Sequence, residues 1–163
     1  MSRVRSCSSP IHIYQARPET MDDKYFGELA EREGEAASIP FREVALDEWK
    51  PQKNDCHRNV DRWVQAHPES RAVRGWVFWK PTEGRYTFMA HSVIETAGKL
   101  QDITPIDEQT PREKLLFIEY KGNEADFLGV KDVCSRVDYP PLTMDEWRQA
   151  QTSPIEDFAD DED

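Results

Sequence analysis

Three apolar runs between residues 72 and 103 constrain the fold of this chain more than any other feature of its sequence. The runs are 72–79, 85–95 and 99–103, and a fourth follows at 115–120. They are rich in β-branched and aromatic residues and are separated by turn-forming residues, so they predict an antiparallel sheet. The first run is apolar almost throughout and is interrupted only by Arg74 and Gly75, so we expect this strand to be covered on both faces.

A helix is predicted shortly before these strands, and it begins at a cysteine. The polar pair Asn54-Asp55 supplies an N-cap, apolar residues recur at helical spacing from Val60 to Val64, and Pro68 ends the helix. Cys56 lies on the same apolar stripe, so we expect its side chain to point toward the surface on which the helix packs. The unpaired N–H groups and the positive dipole end of a first helical turn favour the thiolate form of such a residue.

Weaker patterns place the remaining elements. Amphipathic helices are predicted over 20–37 and 142–151, a strand over 38–46, an edge strand over 11–14 and a helical turn over 46–49.

The length and composition fit one domain flanked by two polar segments. A chain of 163 residues with 37% hydrophobic side chains can bury one core, but not two ample ones. We expect a loose arm at 1–20, a single α+β domain at 21–152 and an acidic tail at 153–163. From residue 154 onwards the tail has six acidic residues and no basic one, so it would suit a protein partner.

The charge and the cysteines argue against several classes of protein. A formal net charge of -11 is unsuited to a nucleic-acid binder. Cys7, Cys56 and Cys134 are too few and too scattered for a disulfide framework, so a reducing compartment is expected. No apolar run has the length of a membrane span, and the first residues lack the apolar segment of a signal peptide. The sequence therefore predicts a cytoplasmic protein.

The compact turn at Ala97-Gly98 sets which residues of the flanking strands face one another. A two-residue turn places Val93 opposite Asp102. His91 shares a strand face with Val93, so Asp102 lies diagonally beside it, at about 7 to 8 Å between backbones. A shift of one residue in register would turn Asp102 to the other face.

Cys56, His91 and Asp102 together suit nucleophilic catalysis. A cysteine nucleophile needs a base that is close in space and oriented by a third group. His57 is adjacent in sequence, but neighbouring helix positions point about 100° apart, so His57 is expected to face away from the thiol. His91, in a sheet that the helix would cover, is the better candidate for the base.

In order and spacing these residues resemble the core of the papain-like thiol hydrolases in the broad sense, including NlpC-like peptidases and transglutaminase-like enzymes. Small bacterial and phage proteins of that type are similar at Cys56-His57-x-Asn59-Val60, Gly75-Trp76, His91 and Asp102-Ile103-Thr104-Pro105. The resemblance covers roughly residues 50 to 120.

The resemblance implies an α+β fold in which a cysteine-bearing helix packs on an antiparallel sheet. It also implies Cys56 as nucleophile, His91 as general base and acid, and Asp102 as the orienting group. The activity implied is hydrolysis or acyl transfer at an amide or ester bond, as in a peptidase, amidase or deamidase, without a cofactor. It does not specify the substrate.

The donor that would hold the oxyanion is less well defined than the triad. Papain-type peptidases place a glutamine a little before the cysteine for this purpose, and Gln52 and Asn54 are the nearby candidates here. Asn59 lies one helical turn from the cysteine. Trp76 belongs to a set of tryptophans that would form either the wall of a cleft or the core.

Each of these residues also has a structural interpretation. A free cysteine is commonly buried and inert, a strand histidine can be part of the core, and Asp102 can cap the turn that follows it. A zinc site built from Cys56, His57, His91 and Cys134 lacks any recognised ligand spacing. The alternative function, from a different class, is a non-catalytic interaction protein on the same scaffold.

Overall fold

The structure, a computed structural model, describes residues 23–107, 111–133, 136–141, 143–146 and 148. The helices are α1 (Asp23–Glu31), α2 (Cys56–Ala66) and α3 (Glu124–Val133), and short 3-10 turns occur at Glu33–Glu35 and Arg112–Lys114. The strands are β1 (Ser70–Trp79), β2 (Tyr86–Thr96), β3 (Lys99–Gln101), β4 (Leu116–Glu119) and β5 (Arg136–Tyr139). The fold is α+β, as predicted, with α2 packed on an antiparallel sheet.

The sheet is built around one long strand pair and has a gap in one edge. β1 pairs along its whole length with residues 87–96 of β2, and β4 flanks β1. The other side of β2 carries two short strands, β5 opposite residues 86–89 and β3 opposite residues 94–96. Among the described residues no strand lies beside residues 90–93 of β2 on that side. The edge of the sheet is therefore open at that point.

The two faces of the sheet bury separate groups of side chains. On one face α2 packs its Val60 and Trp63 against Ile94, and α1 and α3 pack their phenylalanines around Trp76. The opposite face buries Val73, Val77, Val93 and Phe117. The expectation that the first strand is covered on both faces is thus confirmed.

The predicted hairpin is confirmed in register. Ile94 pairs with Gln101 and Thr96 with Lys99. Ala97 and Gly98 have φ angles of 51° and 75°. Positive φ at both central residues is the geometry of a type I′ turn, which joins strands of right-handed twist with two residues.

The weaker sequence patterns are only partly confirmed. Residues 38–46 form no strand, because they make only isolated bridges, Phe41 to Asp102 and Leu46 to Trp49, and no continuous ladder. The segment 46–49 is a tight turn closed by reciprocal backbone hydrogen bonds, not a helical turn. The helix predicted over 20–37 ends at residue 31 and is followed by a 3-10 turn, and 144–146 and 148 are helical.

Two elements were not predicted, and several predicted segments lie outside the described residues. α3 has a weak amphipathic pattern, and β5 has only four residues. The arm at 1–20 with its edge strand at 11–14, the tail at 153–163, Cys7 and Cys134 are outside the described part of the chain.

Gly75 is expected to be essential for the packing of β1 against β4. A Cβ atom at this position would clash with the backbone oxygen of Ile118 and would come within 2.7 Å of the Phe117 ring. We expect Gly75→Ala to lower the free energy of unfolding by about 1 to 3 kcal/mol, as overpacking does. Gly129→Ala, in a helix with no atom within 4 Å of the added carbon, is the matched control. Urea denaturation midpoints that are equal for the two variants would contradict this prediction.

Candidate active site

Cys56 lies at the gap in the edge of the sheet. α2 begins at this residue, and its sulfur lies 4.0 Å from the carbonyl oxygen of Ala90, one of the uncovered residues of β2. The N–H of Cys56 belongs to the first helical turn, whose N–H groups have no partner within the helix. The predicted capping is not realised, because Asp55 is the N-cap residue but its side chain makes no capping hydrogen bond.

His91 approaches the thiol from the opposite face of the sheet. Ser92 faces α2 and contacts His57, whereas His91 shares its face with Val93 and packs edge-on against Phe117 at 6.5 Å between ring centroids. α2 therefore covers the sheet that contains His91, as expected, but on the face opposite to this residue. The imidazole and the thiol nevertheless line one cavity, because the open edge at residues 90–93 lets a side chain of either face reach α2.

The carboxylate of Asp102 holds the far side of the imidazole. Its Oδ2 lies 3.2 Å from Nε2 of His91. The N–H of this nitrogen is not aimed along that line, so the contact is ionic and not a well-aligned hydrogen bond. The predicted diagonal neighbourhood of the two residues is confirmed.

Asp102 also caps the turn that follows it, which was the structural interpretation of this residue. Its Oδ1 accepts a hydrogen bond of 2.8 Å from the backbone N–H of Thr104, and its Oδ2 accepts one of 2.8 Å from Nη1 of Arg112. The two interpretations are therefore compatible, since one carboxylate makes the turn and touches the histidine.

The electrostatics of the three groups favour a thiolate and an imidazolium. Burial alone would raise the pKa of the Cys56 thiol, but hydrogen bonds from His57 and His91 and, as smaller causes, the charges of His91 and His57 lower it to about 6. Burial would lower the pKa of His91, but Asp102 and Cys56 raise it to about 10. Burial also acts to raise the pKa of Asp102, and His91, the Thr104 N–H and Arg112 outweigh it and hold that pKa below its usual range.

His57 does not face away from the thiol, and that expectation is wrong. Its ring lines the cavity beside Cys56, and its Nδ1 lies 2.6 Å from Oγ of Ser92. Side chains of a helix tilt toward its N-terminus, so those of the first turn lie around the end of the helix. The angle of about 100° between neighbours therefore does not prevent both from reaching one cavity.

The cavity beside these groups has a volume of about 440 Å³, within the usual range for small-molecule sites. Polar groups form one part of the wall, namely Asn54, Cys56, His57, His91, Asp102, Thr104, Arg112 and Arg136. Much of the remaining wall is apolar, with Ile39, Val77, Met89, Val93, Ile106, Leu115 and Phe117. The site can therefore hold an apolar group next to a reactive thiol.

Of the four candidates for holding the oxyanion or the substrate, the structure brings one to the cavity. Asn54 lines it, in a left-handed conformation with φ of 59°. The side chain of Gln52 instead donates to the backbone oxygen of Lys50. Asn59 and Trp76 are buried away from the cavity, the latter in the core beside Phe26.

Asn59 fixes the loop that leads into Cys56. Its amide accepts a hydrogen bond from the N–H of Gln52 and donates to the carbonyl of Gln52 and to Oγ1 of Thr104. We expect Asn59→Ala to lower the free energy of unfolding by about 1 to 3 kcal/mol, because these backbone groups lose their partner. Gln65→Ala, on the outer part of the same helix, serves as control. Thermal denaturation that is unchanged by Asn59→Ala would contradict this role.

The sequence interpretation missed Arg112, Ser92 and Arg74. Nothing in the sequence links Arg112 to Asp102, which it contacts across a loop. Arg74 did carry a signal, because a charge inside a strand that is covered on both faces needs polar or charged partners. Its side chain is 7% exposed and bonds Ser92, Asp61 and Glu124.

Two negative findings concern the described residues alone. No helix among them is long and apolar enough to cross a membrane. Nor do three or more His, Cys, Asp or Glu side chains of this part of the chain form a group that could hold a metal ion. Cys134, a member of the zinc alternative, lies outside it.

Comparison of the chain with protein-family models, with curated proteins and with solved structures finds no match.

Proposed function

We propose that this protein is a cysteine-dependent hydrolase or acyltransferase that acts on an amide or ester bond. Cys56 is the nucleophile, His91 the general base and acid, and Asp102 the orienting carboxylate. The observation that supports this proposal is the convergence of a thiol, an imidazole and a carboxylate on one wall of a cavity. A cysteine at a helix N-terminus packed on an antiparallel sheet also supports the papain-like interpretation of the fold.

The reaction follows from the charges of the pair. The Cys56 thiolate attacks the carbonyl carbon, and a carbon–sulfur bond forms while the carbonyl electron pair moves to oxygen. The N–H of Cys56 is one donor for that oxygen. The carbon–nitrogen or carbon–oxygen bond then breaks as the His91 imidazolium gives its proton to the leaving group, which leaves a thioester.

The second half returns the enzyme to its first state. Neutral His91 takes a proton from water or from an amine, which attacks the thioester carbon and releases the sulfur as a thiolate. Since Nε2 of His91 lies against Asp102, Nδ1 is the ring nitrogen left for these proton transfers. Asp102 stays ionised, because Arg112 and the Thr104 N–H bond its oxygens.

The apolar wall of the cavity favours substrates with an apolar group beside the scissile carbonyl. A panel of 4-nitrophenyl esters and peptide anilides with apolar, acidic and basic acyl groups tests this proposal. We expect turnover to be highest with apolar acyl groups, and Cys56→Ala to abolish it together with the acyl adduct seen by mass spectrometry.

The controls separate this site from the other thiols. Cys7→Ser with Cys134→Ser is expected to retain turnover and the adduct. Turnover that survives Cys56→Ala would refute the proposal. Absence of any adduct across the panel would favour the non-catalytic interaction protein.

A further inference from the structure

A second chain of hydrogen bonds runs beneath α2 from Arg74 to His57, the neighbour of Cys56. Nη1 of Arg74 donates to Oγ of Ser92 at 2.8 Å, and this oxygen lies 2.6 Å from Nδ1 of His57. The charge of Arg74 is held in place by Asp61 and by Glu124, whose Oε1 accepts from Nε at 2.8 Å. The chain of contacts is thus anchored by carboxylates and ends at an imidazole in the cavity.

These contacts determine where His57 carries its proton. An arginine can only donate, so it occupies one lone pair of the Ser92 hydroxyl. Ser92 is 0% exposed, and its hydroxyl proton needs an acceptor. In the part of the chain that the structure describes, Nδ1 of His57 is the acceptor at hydrogen-bond distance. The Ser92 hydroxyl therefore donates to Nδ1, and the neutral ring has its proton on Nε2.

The ring is also fixed in position. Phe127 of α3 packs edge-on against it at 6.1 Å between centroids, while Ser92 holds Nδ1. His57 lines the cavity, and because Ser92 holds Nδ1, Nε2–H is the ring group left to face the cavity. A hydrogen bond from this histidine lowers the pKa of the Cys56 thiol more than the charge of the histidine does.

We infer that His57 is a further catalytic residue, a neutral and fixed N–H donor that stabilises the negative charge while His91 moves the protons. The inference rests on the proposed acyl transfer. As the carbon–sulfur bond forms, the negative charge passes from sulfur to the carbonyl oxygen, and the Nε2–H group of His57 remains beside it. The proton stays on Nε2 throughout, so no proton transfer is assigned to this residue. His57 thus fills the role for which Gln52 and Asn54 were sequence candidates.

Two substitutions distinguish a neutral donor from a charged one. His57→Gln keeps an N–H group at the end of an uncharged side chain, and His57→Leu removes the N–H group as well. In a background of Cys7→Ser and Cys134→Ser, the rate of reaction of Cys56 with a small disulfide such as 4,4′-dithiodipyridine is measured against pH. We expect His57→Gln to keep the pH midpoint within a few tenths of a unit of the parent. His57→Leu should raise it by about one unit, as loss of one hydrogen bond to a charged group does.

The outcomes separate this inference from the proposed function. An equal increase of the pH midpoint in His57→Gln and His57→Leu would show a charged His57 and overturn the inference. An unchanged midpoint in both variants would show that His57 is a structural residue, which would also overturn it. In both cases an effect of His91→Gln measured alongside would leave the proposed function standing. An ordinary thiol midpoint in the parent would overturn both. Circular dichroism of each variant verifies folding.

A measurement on the unmodified protein does not depend on the folding of variants. Long-range ¹⁵N–¹H NMR spectra in mildly alkaline buffer distinguish the two imidazole tautomers. We expect the Nε2–H form for His57, and an Nδ1–H form would overturn the inference. Ser92→Ala, which removes the donor to Nδ1, is expected to produce a mixture of tautomers, whereas Ser92→Thr should restore the Nε2–H form.

Discussion

Cys56 is expected to react as a thiolate down to about pH 6, and His91→Gln is expected to abolish this property. The thiol pKa lies near 6 because hydrogen bonds from His57 and His91 and, as smaller causes, the charges of His91 and His57 outweigh burial. Loss of the imidazolium removes both contributions of His91, and burial then acts to raise the thiol pKa. We expect the pH midpoint of the disulfide reaction to rise by more than one unit, a loss of at least about tenfold in thiolate below both midpoints.

The rate of the disulfide reaction shows the lowered thiol pKa less clearly than its pH midpoint does. At about pH 6.5 a thiol with a pKa near 6 has roughly 75 times more thiolate than an ordinary thiol with a pKa of about 8.5. A less basic thiolate is also a weaker nucleophile, by about 10- to 20-fold for this difference in pKa. We therefore expect Cys56 to react only about fivefold faster than an ordinary thiol at that pH. The position of the midpoint is the sharper measurement.

The histidine that follows the last residue of α2 supplies the control. His67 lies at the C-terminal end of α2, where it stacks on Trp63 and bonds the carbonyl of that residue. His67→Gln should leave the midpoint of Cys56 unchanged. A midpoint in the ordinary thiol range in the parent protein, or one that does not respond to His91→Gln, would remove the main support for catalysis by Cys56.

Turnover should need both charges of the pair. It is expected to rise with pH as the thiol ionises near pH 6 and to fall as the imidazolium loses its proton near pH 10. A single broad rise without the alkaline fall would contradict the assignment of His91 as the acid.

Asp102→Ala is expected to lower the free energy of unfolding by about 3 to 5 kcal/mol at neutral pH. The Asp102 side chain is 10% exposed and contacts His91, Arg112 and the Thr104 N–H. Its removal leaves two cationic groups and one N–H without their shared acceptor, and Arg112 is itself only 23% exposed. Urea denaturation measures the loss.

Two further variants test the cause of this loss. Asp107→Ala breaks the exposed ion pair with Lys53 and should cost less than about 1 kcal/mol. Arg112→Met in the Asp102→Ala background removes the stranded charge and should restore part of the stability. Equal losses of stability for Asp102→Ala and Asp107→Ala, or no recovery of stability in the double variant, would show that the buried contacts of Asp102 do not cause the loss.

The difference between the parent and Asp102→Ala should shrink in acid. The pKa of Asp102 is depressed in the folded state, so its contribution to stability is present above the pKa of the unfolded chain, about 3.9 for a free aspartate. That contribution is lost as the pH falls through the lower pKa of the folded state. A difference in stability that grows below about pH 4 would contradict this sign.

The sequence was sufficient for the elements that depend on neighbouring residues. The start of α2 at Cys56 follows from local helical spacing, and the hairpin register at Ala97-Gly98 follows from a two-residue turn. That register alone placed Asp102 beside His91. These predictions succeeded because helix periodicity and tight turns are set by contacts within a few residues of the chain.

The tertiary structure decided what lies on each side of the sheet and what reaches across it. Strand alternation correctly puts His91 and Ser92 on opposite faces, but it cannot show that β5 and β3 leave residues 90–93 of β2 uncovered. That gap brings a histidine of one face to a helix on the other. The contacts of Arg112 with Asp102 and of Arg74 with Ser92 likewise join distant segments. Such pairings depend on how whole elements pack, and no periodicity within a single segment records them.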